Sequence, residues 1–533
     1  MQKLLLLGDE AIAQGAIDGG ISGFYAYPGT PSTEIMEYAQ KSKEVAQKGI
    51  HCKWSANEKT AMEAAIGMSY TGKRAMVQMK HVGMNVAADP FLNSSITGVN
   101  GGLIVVAADD PSMHSSQNEQ DSRFYGDFAL VPILEPSNQQ EAYEMAKNGF
   151  ELSEKFNVPI VLRVTTRLAH SRADIKLGDK KEQLKVKLPE DPRQYVLLPG
   201  IARRNYKKLL EMQSSIQQAS NDSIYNRYID GNNKKIGIVA CGIGFNYLME
   251  NFDGECPYPV VKVSQYPIPK NHIQKLRKEC ESILVLEDGY PFVEKQLKSF
   301  FDEGIKIMGR LDGSLPRDGE LNPNIVAKAL GIKDSETLQI PEVVKMRPPS
   351  LCQGCGHRDV YEALNIALED YEKGRVFADI GCYTLGALPP FNTVNSCVDM
   401  GASITMAIGA SDAGLIPAVA VIGDSTFTHS GMTGLLDAVI KNSPILVLIS
   451  DNFTTGMTGG QDSAAKNRIV DICKGIGVDS DHLRTIVPLK SNYEKNLAII
   501  KEELAYNGLS VVVAQRECIQ TAKRGRKQQA KNK

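Results

Sequence analysis

The stretch AVAVIGDSTFTHSGMTGLLDAVIKNSPILVLISDNFTTGMTGGQDS, residues 418–463, decides the fold. One apolar run ends at Gly423-Asp424-Ser425, a helix-like segment of small residues follows, and a second apolar run ends at Asp451-Asn452. Apolar runs this short, bounded by turn residues, read as buried strands of a parallel sheet joined by a crossover helix. Ligands of such sheets bind outside the carboxyl ends of the strands. GD and DN are also ordinary turn dipeptides, and each alone says little. Together, an acid at one strand end and an amide at another supply oxygen ligands for a divalent cation. A diphosphate resting on the N-terminus of the intervening helix would complete the coordination.

The same alternation recurs upstream. GFYAYPGTPSTE (23–34) reads as a strand, a Pro/Gly turn and a helix capped by Thr30 or Ser32. In WSANEKTAMEAAIGMSYTGKRAMVQMKHVG (54–83), Ala61, Ala64, Ala65 and Met68 form a stripe at helical spacing. AMVQM, GGLIVVAA and VPIVLRV are further strand candidates, so the chain is predicted to be α/β with parallel sheets. Residues 171–233 are polar without a sustained apolar face and read as a linker with some helix. A second α/β pattern begins at KKIGIVACGIG and occupies 234–344, and KMRPPS (345–350) is a Pro-marked hinge opening a third block, 345–520. The segment 521–533, TAKRGRKQQAKNK, carries six Lys/Arg and is expected to be a solvated, irregular basic tail.

Composition narrows the function. A length of 533 residues suggests three or four domains. Lys plus Arg number 60 against 62 Asp plus Glu, a formal charge of −2, which argues against nucleic-acid binding. Ten cysteines are too few for a disulfide scaffold but enough for a metal centre or reactive thiols. The apolar runs at 101–108 and 445–450 are far short of a membrane span, and MQKLLLLGDE lacks the core of a secretion signal. A cytoplasmic enzyme with no membrane contact is expected.

The motifs YPGTPSTE, WSANEK, MKHVGMNVAADP and DDPSMHSSQNEQDSR, followed by LCQGCGHRD, DIGCYTLGALPP, MGAS, GDSTFTHSGMTGL and DNFTTGMTGGQ, resemble a family. The resemblance is to the large (alpha) subunit of indolepyruvate ferredoxin oxidoreductases, in the 2-oxoacid:ferredoxin oxidoreductase superfamily, and it spans nearly the whole chain. It implies a thiamine-diphosphate-binding fold. Two parallel-sheet thiamine domains, pyrimidine-binding at 1–170 and diphosphate-binding at 345–520, would flank a transketolase C-terminal-like α/β domain at 234–344. It further implies that Asp424, Asn452 and the Thr454 carbonyl hold Mg²⁺, with Gly423, Ser425 and Met457 also on the cofactor. Glu58 resembles the glutamate that hydrogen-bonds the aminopyrimidine and shifts it to the imino tautomer that serves as internal base; Gly67 and Gly72 follow it at the family spacing. Read without the resemblance, Glu58 is a first-turn helix acid in a favourable dipole position. Thr30 resembles the threonine that meets the substrate carboxylate.

Of the eight histidines, His81, His114, His357 and His429 fall inside these motifs. Each can donate to a carboxylate or carry a proton, or be a satisfied structural group. His81 is the preferred substrate-side and catalytic candidate, and Ser115 and Arg123 are further substrate contacts. Cys352 and Cys355 form a C-x-x-C that by itself fits zinc, redox chemistry or neither. The resemblance implies one [4Fe–4S] cluster on Cys352, Cys355, Cys382 and Cys518, four thiolates being the required count. Cys382 or Cys518 can instead be a buried hydrophobe, and Cys397 is a spare. Cys52, Cys241, Cys256, Cys280 and Cys473 read as core.

One departure stands out: no cysteine follows Cys518, so the family's C-terminal ferredoxin-like module is expected to be lacking. Electrons would leave directly for a partner, and the basic tail either attracts an acidic ferredoxin or is simply solvated. The expected activity is oxidative decarboxylation of an aryl 2-oxoacid of the indolepyruvate or phenylpyruvate type. Coenzyme A would take the acyl group and ferredoxin the electrons, in a hetero-oligomer with a small second (beta) subunit. The rivals are a non-oxidative 2-oxoacid decarboxylase of the same fold and a catalytically silent assembly subunit.

Overall fold

The computed structural model describes residues 3–252, 255–300, 305–332, 340–345 and 349–531; residues 346–348 of the expected hinge and 532–533 of the expected tail lie outside them. The chain forms two compact units, Met1–Gln339 and Ile340–Lys533.

The first unit contains two large sheets. The seven-stranded one runs Gln265–Tyr266, Ile133–Leu134, Ile160–Thr165, Leu103–Asp109, Ala75–Lys80, Gly23–Ala26, His51–Trp54. It is parallel except where Gln265–Tyr266 pairs antiparallel with Ile133–Leu134. All the strand candidates of this region are present, because β-branched and apolar residues facing helices on both sides leave no polar face. The five-stranded sheet runs Lys306–Met308, Ser282–Leu286, Ile236–Cys241, Val260–Val263, Arg227–Ile229, with the last strand antiparallel.

Two readings are corrected. The polar stretch 171–233 is woven into the unit: Arg172–Lys176 pairs antiparallel with Lys3–Leu7, and Arg227–Ile229 is a sheet edge. Its helix Pro199–Asn221 buries Leu209 and Ile216, two turns apart, so a narrow apolar seam was hidden in a largely solvated helix. On the helix Glu58–Tyr70 the buried face is Ala61, Met62, Ala65 and Ser69, whereas Ala64 is exposed and Met68 half-buried.

Charges at the strand ends are gathered into a buried network. Arg163 Nε donates to Asp109 Oδ2 at 2.6 Å, Nη2 donates to the Asp288 carbonyl at 2.7 Å, and Nη1 pairs with Glu135. Arg123 Nη2 pairs with Asp121 Oδ2 at 2.5 Å and Nη1 with Glu287 Oε2 at 3.0 Å. Burial pushes the Asp121 carboxyl up, but Arg123 and Arg163 outweigh it and hold it down at about 2. Glu135 and Glu287 follow strands of different sheets, so the two guanidinium groups tie the sheets together.

The second unit is built on a six-stranded, wholly parallel sheet: Ser396–Cys397, Val376–Ala378, Ala418–Gly423, Ile445–Asp451, Ser510–Gln515, Leu483–Ile486. Ala418–Gly423 and Ile445–Asp451 are buried at every position, between apolar clusters on the two faces. The expected irregular tail is corrected: Ile519–Lys531 is a helix, as its Lys, Arg, Gln and Ala content favours, and the Ala522 amide donates to the Cys518 carbonyl. No helix among the described residues is long and apolar enough to cross a membrane.

Arg163→Met should lower stability by about 3–5 kcal/mol, because the fully buried Asp109 loses its arginine and Glu135 keeps only the more distant Arg123 and the Tyr266 hydroxyl. The effect is expected as a downward shift of the denaturation midpoint followed by circular dichroism.

Candidate active site

In the second unit the site grows from three strand ends. Asp424 follows Ala418–Gly423, is almost fully buried, and its Oδ2 has no hydrogen-bond partner. Burial first, and then the neighbouring Asp451 carboxylate, push its pKa up to about 7. Asp451 itself accepts from Gln515 Nε2 at 3.0 Å. The next residues turn sharply, with Phe453 in the left-handed region at φ 64°. That turn brings the Thr454 amide to within 3.1 Å of Asn452 Oδ1, while the buried Thr454 hydroxyl donates to the Gln461 carbonyl at 2.8 Å. Ser425 Oγ lies 2.9 Å from Thr455 Oγ1, linking the two loops. After Asp424 the helix carries a π-turn, Phe427–Gly431, a widening common at functional sites.

Asp379, after Val376–Ala378, was not anticipated. It accepts from the Ser403 hydroxyl at 2.6 Å and from Tyr383, and burial raises its pKa to about 6. The Tyr383 ring packs against Gly381 and Gly423; a Cβ on Gly423 would stand 2.5 Å from Tyr383 Cε1. Any side chain at Gly423 would therefore move the Asp424 loop.

Behind this loop lies a cavity of about 170 Å³ lined by Cys352, Cys355, Cys382 and Cys518 together with Asn452 and Gly456. A Cβ on Gly456 would stand 3.1 Å from Cys382 Sγ, so the Asn452–Gly456 loop and the sulfurs share a wall. Burial pushes Cys382 up to about 12, with Cys355, Cys518 and Cys352 adding to it. Gln520 Nε2 donates to Cys352 Sγ at 3.4 Å, and Thr521 and Arg524 of the final helix close one side. Cys397 is exposed and does not line the cavity. Cys241, Cys256, Cys280 and Cys473 are buried as expected, and Cys52 is half-buried.

In the first unit, Glu58 is buried at the N-terminus of Glu58–Tyr70, beneath the Asn57 cap. Gly83 allows this: a Cβ there would stand 2.8 Å from Glu58 Cγ and Oε1. Thr30 is half-buried at the end of the Tyr27-Pro28-Gly29 turn. Gly67 is open, and Gly72 serves a tight turn at φ 78° against the Lys187 carbonyl.

Several expected contacts are corrected. Arg123 is completely buried in the ionic network and has no face left for a substrate. His81 is also completely buried, its Nε2 held 3.1 Å from the Asn118 carbonyl, so it orders the loop over the strand end. Ser115 and His114 are exposed, the latter 3.3 Å from Glu320. His429 is buried on the π-turn beside Ser430. His357 lines the cysteine cavity with its pKa pushed down to about 4 by burial. Met457 is 59% exposed, at the rim of its loop. Lys80, unmarked in the sequence, packs along Gly29, next to Thr30, and lies within the field of Glu58.

Two family models match the chain around these residues. The family model "Pyruvate flavodoxin/ferredoxin oxidoreductase, thiamine diP-bdg" matches residues 14–224, which hold Glu58. "Thiamine pyrophosphate enzyme, C-terminal TPP binding domain" matches 379–486, which hold Asp424 and Asn452. Indolepyruvate oxidoreductase subunit IorA of Archaeoglobus fulgidus is 38% identical, over 99% of this chain and 89% of the relative. The chain belongs to the IorA family. Its counterpart in Pyrococcus abyssi is 38% identical over 97% of this chain and 86% of the relative. This IorA-family chain also shares its fold with a solved 2-oxoglutarate:ferredoxin oxidoreductase from Magnetococcus marinus. That match has a TM-score of 0.50 at 15% identity and covers 62% of this chain and 65% of that one. The thiamine-diphosphate-binding α/β fold follows.

The raised pKa of Asp424 has a signed consequence. Between the ordinary carboxyl value of 3.8 and about 7, the cation-free folded state holds a proton that the unfolded chain has released, so stability falls as pH rises through that window. Asp424→Asn should therefore stabilise the cation-free protein by about 1–3 kcal/mol above pH 7, with the gain vanishing near pH 4. Thermal melts across pH in the presence of a chelator check this.

Proposed function

We propose that the chain is the thiamine-bearing large subunit of an aryl 2-oxoacid oxidoreductase, of the indolepyruvate or phenylpyruvate type, that forms the acyl-CoA. As a member of its family it is a thiamine-diphosphate-dependent 2-oxoacid:ferredoxin oxidoreductase. The aryl preference and the small second (beta) subunit are supported by the relatives' naming as indolepyruvate oxidoreductase subunits. Coenzyme A as acceptor is supported by the fold neighbour, which was solved with 2-oxoglutarate, coenzyme A and succinyl-CoA bound.

The observation that carries the oxidative reading is the shared wall between the four-cysteine cavity and the Asn452–Gly456 loop. Tetrahedral zinc, bonded at about 2.3 Å, brings its sulfurs to within roughly 4 Å of one another. Among the described residues the one group of three metal-ligating side chains within 4.8 Å is Asp9, Glu34 and His170, so the cysteines are spread more widely than zinc requires. That spacing favours a [4Fe–4S] cluster, which would supply a one-electron acceptor at the cofactor's diphosphate end.

Mg²⁺ fits the other loop. The buried Asp424 Oδ2, which has no hydrogen-bond partner, would be one ligand, and Asn452 and the Thr454 carbonyl would complete a hard oxygen set. Thiamine diphosphate, when bound, supplies the thiazolium that labilises the carboxylate of a 2-oxoacid. The chain's own residues prepare it. Glu58, buried and backed by Gly83, would hold a proton for the aminopyrimidine. Asp379, Tyr383 and Ser403 stiffen the loop ends.

Glu58→Gln should lower the turnover of the complex by about 10²–10⁴-fold, the range of a lost proton-transfer group. An unchanged rate points to the silent assembly subunit instead. Cys382→Ala, purified without oxygen, should lose the visible iron–sulfur absorption and 2-oxoacid-dependent viologen reduction. Retained dye reduction, or a colourless wild type, favours the non-oxidative decarboxylase.

A further inference from the structure

A 2-oxoacid brings a permanent negative charge into a site where burial makes an uncompensated carboxylate costly. Of the residues expected to receive it, Arg123 is completely buried in its ion pairs, His81 is completely buried with Nε2 held at Asn118 and Nδ1 without a hydrogen-bond partner, and Ser115 is exposed. That leaves Thr30 without a cation among them.

Lys80 fills the gap. It is the last residue of the strand Ala75–Lys80, at the carboxyl end of a parallel sheet, and is half-buried. Its stem lies along the glycine preceding Thr30: a Cβ on Gly29 would stand 3.3 Å from Lys80 Cγ and 3.4 Å from Cδ. A side chain at 29 would press on that path and push the stem aside by a few tenths of an ångström. The ammonium donates to the Ser115 carbonyl at 3.3 Å, and no ion pair to Lys80 is found among the described residues. An ammonium has three donors, so two remain for a ligand. Burial lowers the Lys80 pKa below the usual lysine value, and the fields of Asp110 and Glu58, which favour the protonated form, offset only part of it. Asp110 is engaged by the Ser115 amide at 2.8 Å and by Ser116 and Thr166 at 2.7 Å, so it does not close on the lysine.

We infer that the Lys80 ammonium, with the Thr30 hydroxyl, anchors the C1 carboxylate of the 2-oxoacid beside Glu58. This deepens the proposed function and rests on its reading of the substrate as a 2-oxoacid. The point charge on a flexible stem is suited to a carboxylate that departs as CO₂, since the ammonium can fall back on the Ser115 carbonyl once the anion is gone.

The test uses the complex co-expressed with its second subunit, loaded with thiamine diphosphate and Mg²⁺. Phenylpyruvate is the substrate, and 3-phenylpropanoate and 3-phenylpropanamide are a charged and a neutral inhibitor of equal shape. In the wild type the acid should bind more tightly than the amide. In Lys80→Met the KM for phenylpyruvate and the dissociation constant of the acid should both rise on the order of 100-fold, with the amide unchanged. Lys80→Arg should recover part of the difference. Thiamine diphosphate loading and the visible spectrum should match wild type in both variants, which shows that the fold is intact. If Lys80→Met retains the preference for acid over amide, the inference is overturned, whatever the turnover does. If no 2-oxoacid reduces a viologen with the wild type, the parent reading fails, while the inhibitor pair, measured by calorimetry, still decides the role of Lys80.

Discussion

Carboxylates standing desolvated at the ends of parallel strands govern both units. Asp109 closes Leu103–Asp109, Glu135 and Glu287 follow two more strands, and Asp379, Asp424 and Asp451 mark three strand ends of the second sheet. Apolar strands buried on both faces have only their ends at which to place polar chemistry, and each buried charge there must find a partner. The first unit answers with two arginines, Arg123 and Arg163, which draw four acids into a closed ionic network. In the second unit hydroxyls and an amide serve Asp379 and Asp451, and Asp424 is left with no ion pair among the described residues. The same physical problem is thus met by arginines in one unit and by neutral donors, with Asp424 Oδ2 unpartnered, in the other.

Such an arrangement needs rigid surroundings, and glycine supplies them by letting rigid groups approach. Gly423 and Gly381 admit the Tyr383 ring, Gly83 admits Glu58, and Gly29 admits the Lys80 stem. Gly456 brings the Asn452–Gly456 loop against Cys382. In each case a missing side chain on one element fixes the position of a functional one on another.

Most of the fold was legible because its signals are local. The runs at 418–423, 445–451, 75–80, 103–109 and 160–165 are apolar in a way only a doubly covered strand is. The acids and amides at 424 and 452 could be found from those runs alone, and the four cysteines from spacing read with a family resemblance. What escaped was set by tertiary packing. The polar composition of 171–233 concealed the seam at Leu209 and Ile216, and the charge of 521–533 concealed a helix. Arg123 and His81 lie in a motif with the right residue types, but their burial depends on Glu287, Tyr290 and Asn118, distant in sequence or on a loop. Lys80 was passed over because a lysine after an apolar strand is ordinarily a solvated terminus. Only the packing against Gly29 marks it out.

The sulfur-lined cavity draws on residues far apart along the chain. Cys352, Cys355 and Cys382 precede the central strands, whereas Cys518 comes after Ser510–Gln515, the strand that pairs with Ile445–Asp451. During synthesis the first three sulfurs therefore emerge well before the fourth wall exists. The cavity is completed only when Ser510–Gln515 has joined the sheet and the helix beginning at Ile519 has folded over it. Any inorganic group gripped by all four sulfurs would therefore join segments some 160 residues apart, and its retention would report that Ser510–Gln515 had taken its place in the sheet.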